Sequence, residues 1–154
     1  MRIGDIEYTR HVEIDTTTAL ISVNSLVTFA VGIKVRPLLT RVQATMHTAG
    51  AVTGSAGVFL ENSESVPVGL DFNALLNDAR VSPLVFLQKS LVTSGFPNVL
   101  YPVETMWWKL LMPTIALHMV APNAGDDASV ILHYRFAELT DDEIIEIAAQ
   151  RAQG

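Results

Sequence analysis

Residues 129–137 read SVILHYRFA, and this stretch alternates apolar and polar side chains with a period of two. Its apolar set is Val130, Leu132, Tyr134 and Phe136, and the intervening set includes His133, Arg135 and Ala137. Because successive side chains of a strand point to opposite faces of its sheet, the pattern predicts a strand with one buried face and one face in water.

Apolar residues recur at every second position in three more stretches, residues 27–35, 42–46 and 115–119. We expect Pro37 to stop the first of these from continuing as a central strand, because proline lacks the N–H group that such a strand needs. Residues 122–127 hold the turn residues typical of a hairpin, so the strands on either side of them are expected to pair.

Other signals lie between these strands. The glycines and small residues at positions 50–57 predict a flexible loop, with a short strand resuming at residues 58–60. A short helical turn is expected over residues 73–79, with Asp71 or Asn73 as its N-cap. In all, the chain offers about eight to ten strand candidates and no internal repeat.

The strongest local signal is for a helix at the end of the sequence. Thr140 and Glu143 form the T-x-x-E pattern of a capping box. Asp141, Asp142 and Glu143 put negative charge where a helix N-terminus favours it. Capping accounts for this acidic group better than a cation site or catalytic carboxylates do. The pattern predicts a helix from residue 141 to about 152.

This helix has an apolar side that includes Ile144 and Ile147. A helix of about 12 residues is marginal alone in water. It therefore needs a surface to pack on, which either its own sheet or a neighbouring subunit would supply.

Many strands without alternating helices predict an all-β fold. The expected architecture is an antiparallel two-sheet sandwich, jelly-roll-like, with a short C-terminal α-helix. The 154 residues fit a single domain, 1–154, and no linker divides them. The absence of cysteine excludes disulfides and thiolate metal sites.

Charge and composition bound the partners. A formal net charge of −6 argues against a protein whose main partner is a nucleic-acid backbone. Charged residues make up 17% of the chain and hydrophobic residues 49%, so polar groups are scarce for a monomer surface. We therefore hypothesise obligate self-association. The first ten residues have no apolar core segment, and residues 16–33 are interrupted by polar side chains, so neither a signal peptide nor a membrane span is expected.

Residues 133–140, HYRFAELT, resemble the closing strand of single-jelly-roll coat proteins of small viruses. This resemblance implies a virion subunit or accessory shell protein, located in the virion or otherwise in the cytoplasm. The chain lacks the basic N-terminal arm that holds a packaged genome in many such proteins. Nucleic-acid contact is therefore expected to be weak at most, through Lys34, Arg36 and Arg41.

Three histidines are the only candidates for a metal site. His47, His118 and His133 each lie on the polar face of an alternating stretch, and a sheet that joined those strands would let them bind zinc. Three separate surface or rim histidines are the favoured interpretation, because the spacing of a metal motif is absent. No cofactor or metal is expected. The sequence also has no G-x-S-x-G elbow and no phosphate-binding loop, so no catalysis is predicted.

Trp107 and Trp108 are adjacent, so in an extended strand they would point to opposite faces. A single aromatic pair makes a poor platform for sugars, which favours a role in the core or in a subunit interface. We expect a self-assembling structural subunit whose interface contains Trp107, Trp108, Ile144 and Ile147. The alternatives are a carbohydrate- or small-ligand-binding sandwich and a metal-dependent jelly-roll enzyme.

Overall fold

The computed structural model describes the backbone of residues 1–48, 54–89, 98–99 and 103–153, and the side chains of residues 1–47, 54–86 and 109–150. Within these ranges the chain forms ten strands and two helices, as expected for an all-β fold. The strands are β1 Arg2–Ile3, β2 Tyr8–Asp15, β3 Val23–Thr28, β4 Val35–Thr48, β5 Gly54–Glu61, β6 Val81–Lys89, β7 Asn98–Val99, β8 Val103–Leu110, β9 Thr114–Val120 and β10 Asp127–Glu138. The helices are α1 Phe72–Leu76 and α2 Asp141–Gln153.

The strands form two antiparallel sheets. In the first sheet β10 and β4 are central, β1 and β2 pair with the other edge of β10, and β7 and β8 pair with the other edge of β4. The second sheet has the order β3-β9-β5-β6. If the two-residue strands β1 and β7 are set aside, the eight others pair first with last, second with seventh, third with sixth and fourth with fifth. This is the double Greek key of a jelly roll, so the predicted fold is confirmed.

The core lies between the two sheets. Val130, Leu132 and Tyr134 of β10 are buried there, and Phe136 packs against them half-buried, as the alternation predicts. The opposite face of β10 is not simply wet: His133 and Ala137 are buried as well. For His133 the physical reason is a cover of polar side chains from elsewhere in the chain, which is described below.

β4 contradicts the prediction for Pro37. The strand runs through Pro37 and continues to Thr48 at the centre of the first sheet. Pro37 lies opposite Phe136, and its carbonyl oxygen accepts a hydrogen bond from the Leu111 N–H at 2.8 Å. The proline removes a hydrogen-bond donor at one position only, near the start of a long strand. Further along, β4 pairs with β10 on one side and with β8 on the other. The preceding strand, β3, ends at Thr28 instead.

The expected pairing of β9 with β10 is also wrong. β9 lies between β3 and β5 in the second sheet, whereas β10 lies between β2 and β4 in the first. Residues 121–126 therefore cross from one sheet to the other. The crossing is tied to the end of β2, because Gly125 N–H donates to Thr16 O and Thr16 N–H donates to Asp126 O. The turn signal was present, but each strand already had two neighbours from distant parts of the chain.

Two of the glycines expected in a loop lie in a strand, because β5 begins at Gly54. Gly50 lies outside the described residues. At Gly57 a Cβ atom would lie 2.8 Å from a ring carbon of Phe59, so only glycine lets that ring pack against the strand.

Residues 62–80 return across the outer face of the second sheet. They contain α1, whose N-cap is Asp71, one of the two residues expected for that role: its carboxylate accepts from Ala74 N–H at 2.7 Å. The helix spans Phe72–Leu76, so it begins one residue earlier and ends three residues earlier than the predicted range of 73–79. Val66 and Leu75 from this segment pack with Phe59 and Val120 of the sheet into a second, smaller core. This segment covers the outer face of the second sheet over β5 and β9, whereas Leu26 of β3 and Phe86 of β6 remain exposed.

Candidate functional site

α2 begins where the capping signal places it. Glu143 N–H donates to Thr140 Oγ at 3.3 Å, and the Thr140 hydroxyl donates to the Glu143 carboxylate at 3.1 Å. The first turn is also held by charge: Asp141 pairs with Lys34 at 2.8 Å, and Glu143 pairs with the Met1 ammonium at 2.5 Å. This ammonium lowers the pKa of Glu143 from its ordinary value. The helix is thus fixed at its beginning.

Beyond the first turn, the described part of α2 leaves apolar side chains without full cover. Ile144 and Ile147, the two residues assigned to an interface from sequence, are half-buried. Ile147 lines a cavity at the side of the sandwich. Ile145, which the sequence analysis did not select, is 67% exposed. The sequence contained a sign of this exposure, because adjacent isoleucines of a helix, here Ile144 and Ile145, cannot both face the same surface.

Several other exposed apolar side chains lie at the same end of the molecule as the start of α2. β1 pairs with the end of β10, and the turn before β4 contacts α2 through Lys34. We call this set the terminal patch: it consists of Met1 (52% exposed), Ile3 (37%), Ile6 (64%), Ile33 (83%) and Ile145 (67%). Exposed apolar side chains at one end of a molecule are one indication of an interaction site. The terminal patch is therefore the candidate assembly surface.

The two tryptophans lie in β8, and their side chains are outside the described residues. The backbone register nevertheless changes here, because Met106 faces Arg41 whereas Lys109 faces Leu39. Trp107 and Trp108 thus stand opposite the single residue Thr40. An extra residue of this kind interrupts the alternation of a strand, so the expectation of opposite faces does not follow from adjacency alone.

The structure does not bring the three candidate histidines together. His118 lies in β9 of the second sheet and is fully buried, so its predicted place on a polar surface is wrong. In the first sheet His133 lies in β10, whereas His47 of β4 faces Asp127 at the start of that strand. Six residues of strand separate these positions, about 20 Å. Across the described part of the chain, no three His, Asp or Glu side chains are grouped as metal ligands.

His133 is held by polar neighbours on the outer face of the first sheet. Its Nε2 lies 2.9 Å from Gln43 Oε1, and its Nδ1 lies 3.5 Å from the Glu7 carboxylate and 3.2 Å from the Arg41 guanidinium. The other two basic residues considered for nucleic acid also have protein partners. Lys34 pairs with Asp141, and Arg36 donates to backbone carbonyls. These contacts leave the three cations only partly available to a ligand.

Sequence reasoning missed the most strongly bonded polar group in the described structure. Glu61, at the end of β5, is fully buried, and its Oε1 lies 2.9 Å from His118 Nε2. Its Oε2 accepts from the Ser63 hydroxyl at 2.5 Å, the Ser65 hydroxyl at 2.8 Å and the Ser65 N–H at 2.7 Å. Val66 N–H also donates to this carboxylate. We call Glu61, His118, Ser63, Ser65 and Val66 the Glu61 cluster.

The protonation state of the Glu61 cluster follows from these contacts. Burial alone would raise the pKa of Glu61, but hydrogen bonds from Ser63, His118 and Ser65 lower it from the usual 4.5 to about 2. The ionised carboxylate can only accept hydrogen bonds, so His118 Nε2 carries a hydrogen and donates a hydrogen bond to Glu61. His118 Nδ1 is buried without a hydrogen-bond partner.

Glu61 and His118 are closed to solvent, Ser63 and Ser65 lie nearer the surface, and both serines donate to a carboxylate instead of to a base. The Glu61 cluster therefore has the properties of a structural clamp that holds residues 62–66 on the second sheet. The serine spacing after Glu61 was visible in the sequence. The partner 57 residues later was not.

Searches of protein-family models and of curated proteins found no match to this chain. Within the described residues, neither helix combines the length and apolar content needed to cross a membrane.

Proposed function

We propose that this chain is a self-assembling structural subunit of a viral particle, which acts through contacts between copies and without catalysis. The observation that carries the proposal is the terminal patch. Burying an isoleucine side chain is worth about 1.5–3 kcal/mol, so association that covers Ile33, Ile145 and their neighbours has a substantial driving force. Other virion proteins are possible partners of the same surface.

The state of α2 supports this proposal. A helix of this length is marginal without a packing surface, and the described hydrogen bonds and ion pairs of α2 to the rest of the chain come from its first turn. The side chain of Ile145 faces solvent in the isolated subunit. A second copy that packs on this side would supply the surface that the helix needs.

The fold supports the viral context less specifically. Jelly rolls occur in capsid proteins, in lectins and in cupins, so the topology alone does not select a function. The terminal patch favours assembly over the carbohydrate-binding and metal-enzyme alternatives, because neither of these needs exposed isoleucines at one end of the sandwich. We place the protein in the virion, with weak nucleic-acid contact at most through Lys34, Arg36 and Arg41.

Light scattering coupled to size exclusion, together with electron microscopy, tests the proposal. We expect the natural protein to form shells, rings or filaments, and Ile33→Glu/Ile145→Glu to weaken association about tenfold or more, since each buried charge opposes the contact. The matched control is Leu26→Glu, a similarly exposed residue of β3 in the other sheet, which should assemble normally. A natural protein that stays monomeric at high concentration would rule the proposal out.

A further inference from the structure

A cavity of about 340 Å³ lies between α2 and the side of the sandwich. Its described lining is Arg36, Asn62, Leu110, Leu111, Met112, Ile147 and Gln150. These residues come from β4, from the position after β5, from the end of β8 and its connection to β9, and from α2. The cavity is therefore built from several separate parts of the chain, and its size is that of a small-ligand site.

One wall of this cavity is apolar and fixed in place. Leu110, Met112 and Ile147 supply apolar side chains to the lining. Asn62 secures the backbone of this wall, because its side-chain nitrogen donates to Leu110 O at 3.0 Å and its side-chain oxygen accepts from Met112 N–H at 2.8 Å. The amide of Asn62 is thus already satisfied, and the wall does not need a ligand to form.

Arg36 gives the cavity an unbalanced positive charge. One terminal nitrogen of Arg36 donates to Ile33 O at 3.0 Å and Val35 O at 2.9 Å, whereas its other terminal nitrogen has no acceptor among the described residues. Among the described residues, no carboxylate forms an ion pair with Arg36, and the described lining contains no acidic side chain. A guanidinium that lines a cavity without a counter-ion favours an anionic ligand, and a carboxylate is the acceptor whose shape best fits it.

We propose that this cavity binds an aliphatic carboxylate, with its chain against Leu110, Met112 and Ile147 and its carboxylate on Arg36. The volume equals that of about eleven water molecules in the liquid, at ~30 Å³ each, which suits a ligand of about ten non-hydrogen atoms such as octanoate. The proposal does not depend on self-assembly.

Equilibrium dialysis with radiolabelled octanoate tests this site in the intact protein, whatever its assembly state. We expect saturable binding of one octanoate per chain, with 1-octanol about tenfold weaker because it lacks the charge. Arg36→Met should weaken octanoate binding about tenfold and leave octanol binding unchanged. Met112→Trp should abolish binding of both by filling the cavity.

The matched control is Arg2→Met, which removes an exposed arginine of β1 and should bind octanoate normally. If Arg36→Met does not fold, the comparison of octanoate with octanol still measures the role of the charge, and Met112→Trp still measures the role of the cavity. Absence of saturable octanoate binding, equal affinity for octanol, or normal binding by Met112→Trp would each overturn the proposal. Occupation of the site by a second copy of the chain would appear as octanoate binding that decreases as the protein assembles.

Discussion

The Glu61 cluster and the terminal patch reverse the usual distribution of side chains in opposite ways. In the first, a charged carboxylate and a histidine are buried; in the second, four isoleucines and a methionine are exposed. The buried charge is fully hydrogen-bonded within the chain, so it needs nothing from outside. The exposed isoleucines have no such compensation within the described structure, and under the proposed function a second copy would cover them.

This difference separates two measurable quantities. Changes in the Glu61 cluster should alter the free energy of unfolding of each subunit. Changes at the terminal patch should leave that free energy nearly constant and alter association instead.

Glu61→Ala should have the largest effect, a loss of about 3–5 kcal/mol in the free energy of unfolding. The substitution leaves buried donors from Ser65, Val66 and His118 without their acceptor. Urea denaturation at one protein concentration measures the loss. Glu64→Ala, an exposed residue of the same segment, is the control and should lie within about 0.5 kcal/mol of the natural protein. Equal stability of the two variants would contradict the assigned role of the cluster.

The stabilisation from the Glu61 charge should also depend on pH. The pKa of Glu61 is lower in the folded protein, about 2, than its usual 4.5, so the ionised form stabilises the fold. Relative to Glu61→Gln, the natural protein should gain about 2–3 kcal/mol above pH 4.5. This advantage should decrease as the pH falls from 4.5 towards 2. Chemical denaturation at a series of pH values measures it, and a difference that does not vary across this range would contradict the assignment.

At the start of α2, Thr140→Ala should destabilise the helix by about 1 kcal/mol, since it removes the acceptor for Glu143 N–H. We expect a lower helical signal in circular dichroism and weaker association, because the helix carries Ile145. Ser25→Ala, on β3 of the second sheet, controls for loss of a hydroxyl group and should change neither signal. If the variant loses its helical signal but associates normally, then α2 is not needed for assembly.

Lys34→Ala should have the smallest effect on stability, because the pair between Lys34 and Asp141 is exposed. Its effect should decline further at high salt. Denaturation at low and high ionic strength measures both. A loss of several kcal/mol would show that the start of α2 belongs to the cooperative core, which would weaken the contrast between the two regions.

The features that the sequence predicted correctly are local. The alternation at residues 129–137 and the capping signal at Thr140 depend on neighbours a few positions away, and both β10 and α2 form as expected. His118 alternates as a polar-face residue should, but residues 62–80 cover that face from a distant part of the chain. The turn after β9 was identified, yet sheet membership depends on strands far away in sequence.

The same limit applies to the candidate site. Periodicity selected Ile144 and Ile147 as one apolar side of α2, whereas the residue left in solvent is Ile145. Which side of a helix faces its own sheet depends on the angle at which the chain enters the helix. Here the start of the helix is held by contacts of Asp141 and Glu143 with Lys34 and Met1, which no local pattern reveals.

The position of β10 has a consequence for how the protein is made. This strand is late in the chain, yet it lies in the middle of the first sheet, between β2 and β4. During translation, β2 and β4 lack the strand that pairs with both of them until β10, which ends at residue 138, has left the ribosome. Contacts of such long sequence separation fold slowly, so the apolar faces of β2 and β4 stay uncovered until β10 is made. Chaperone binding in that interval would protect it from premature aggregation.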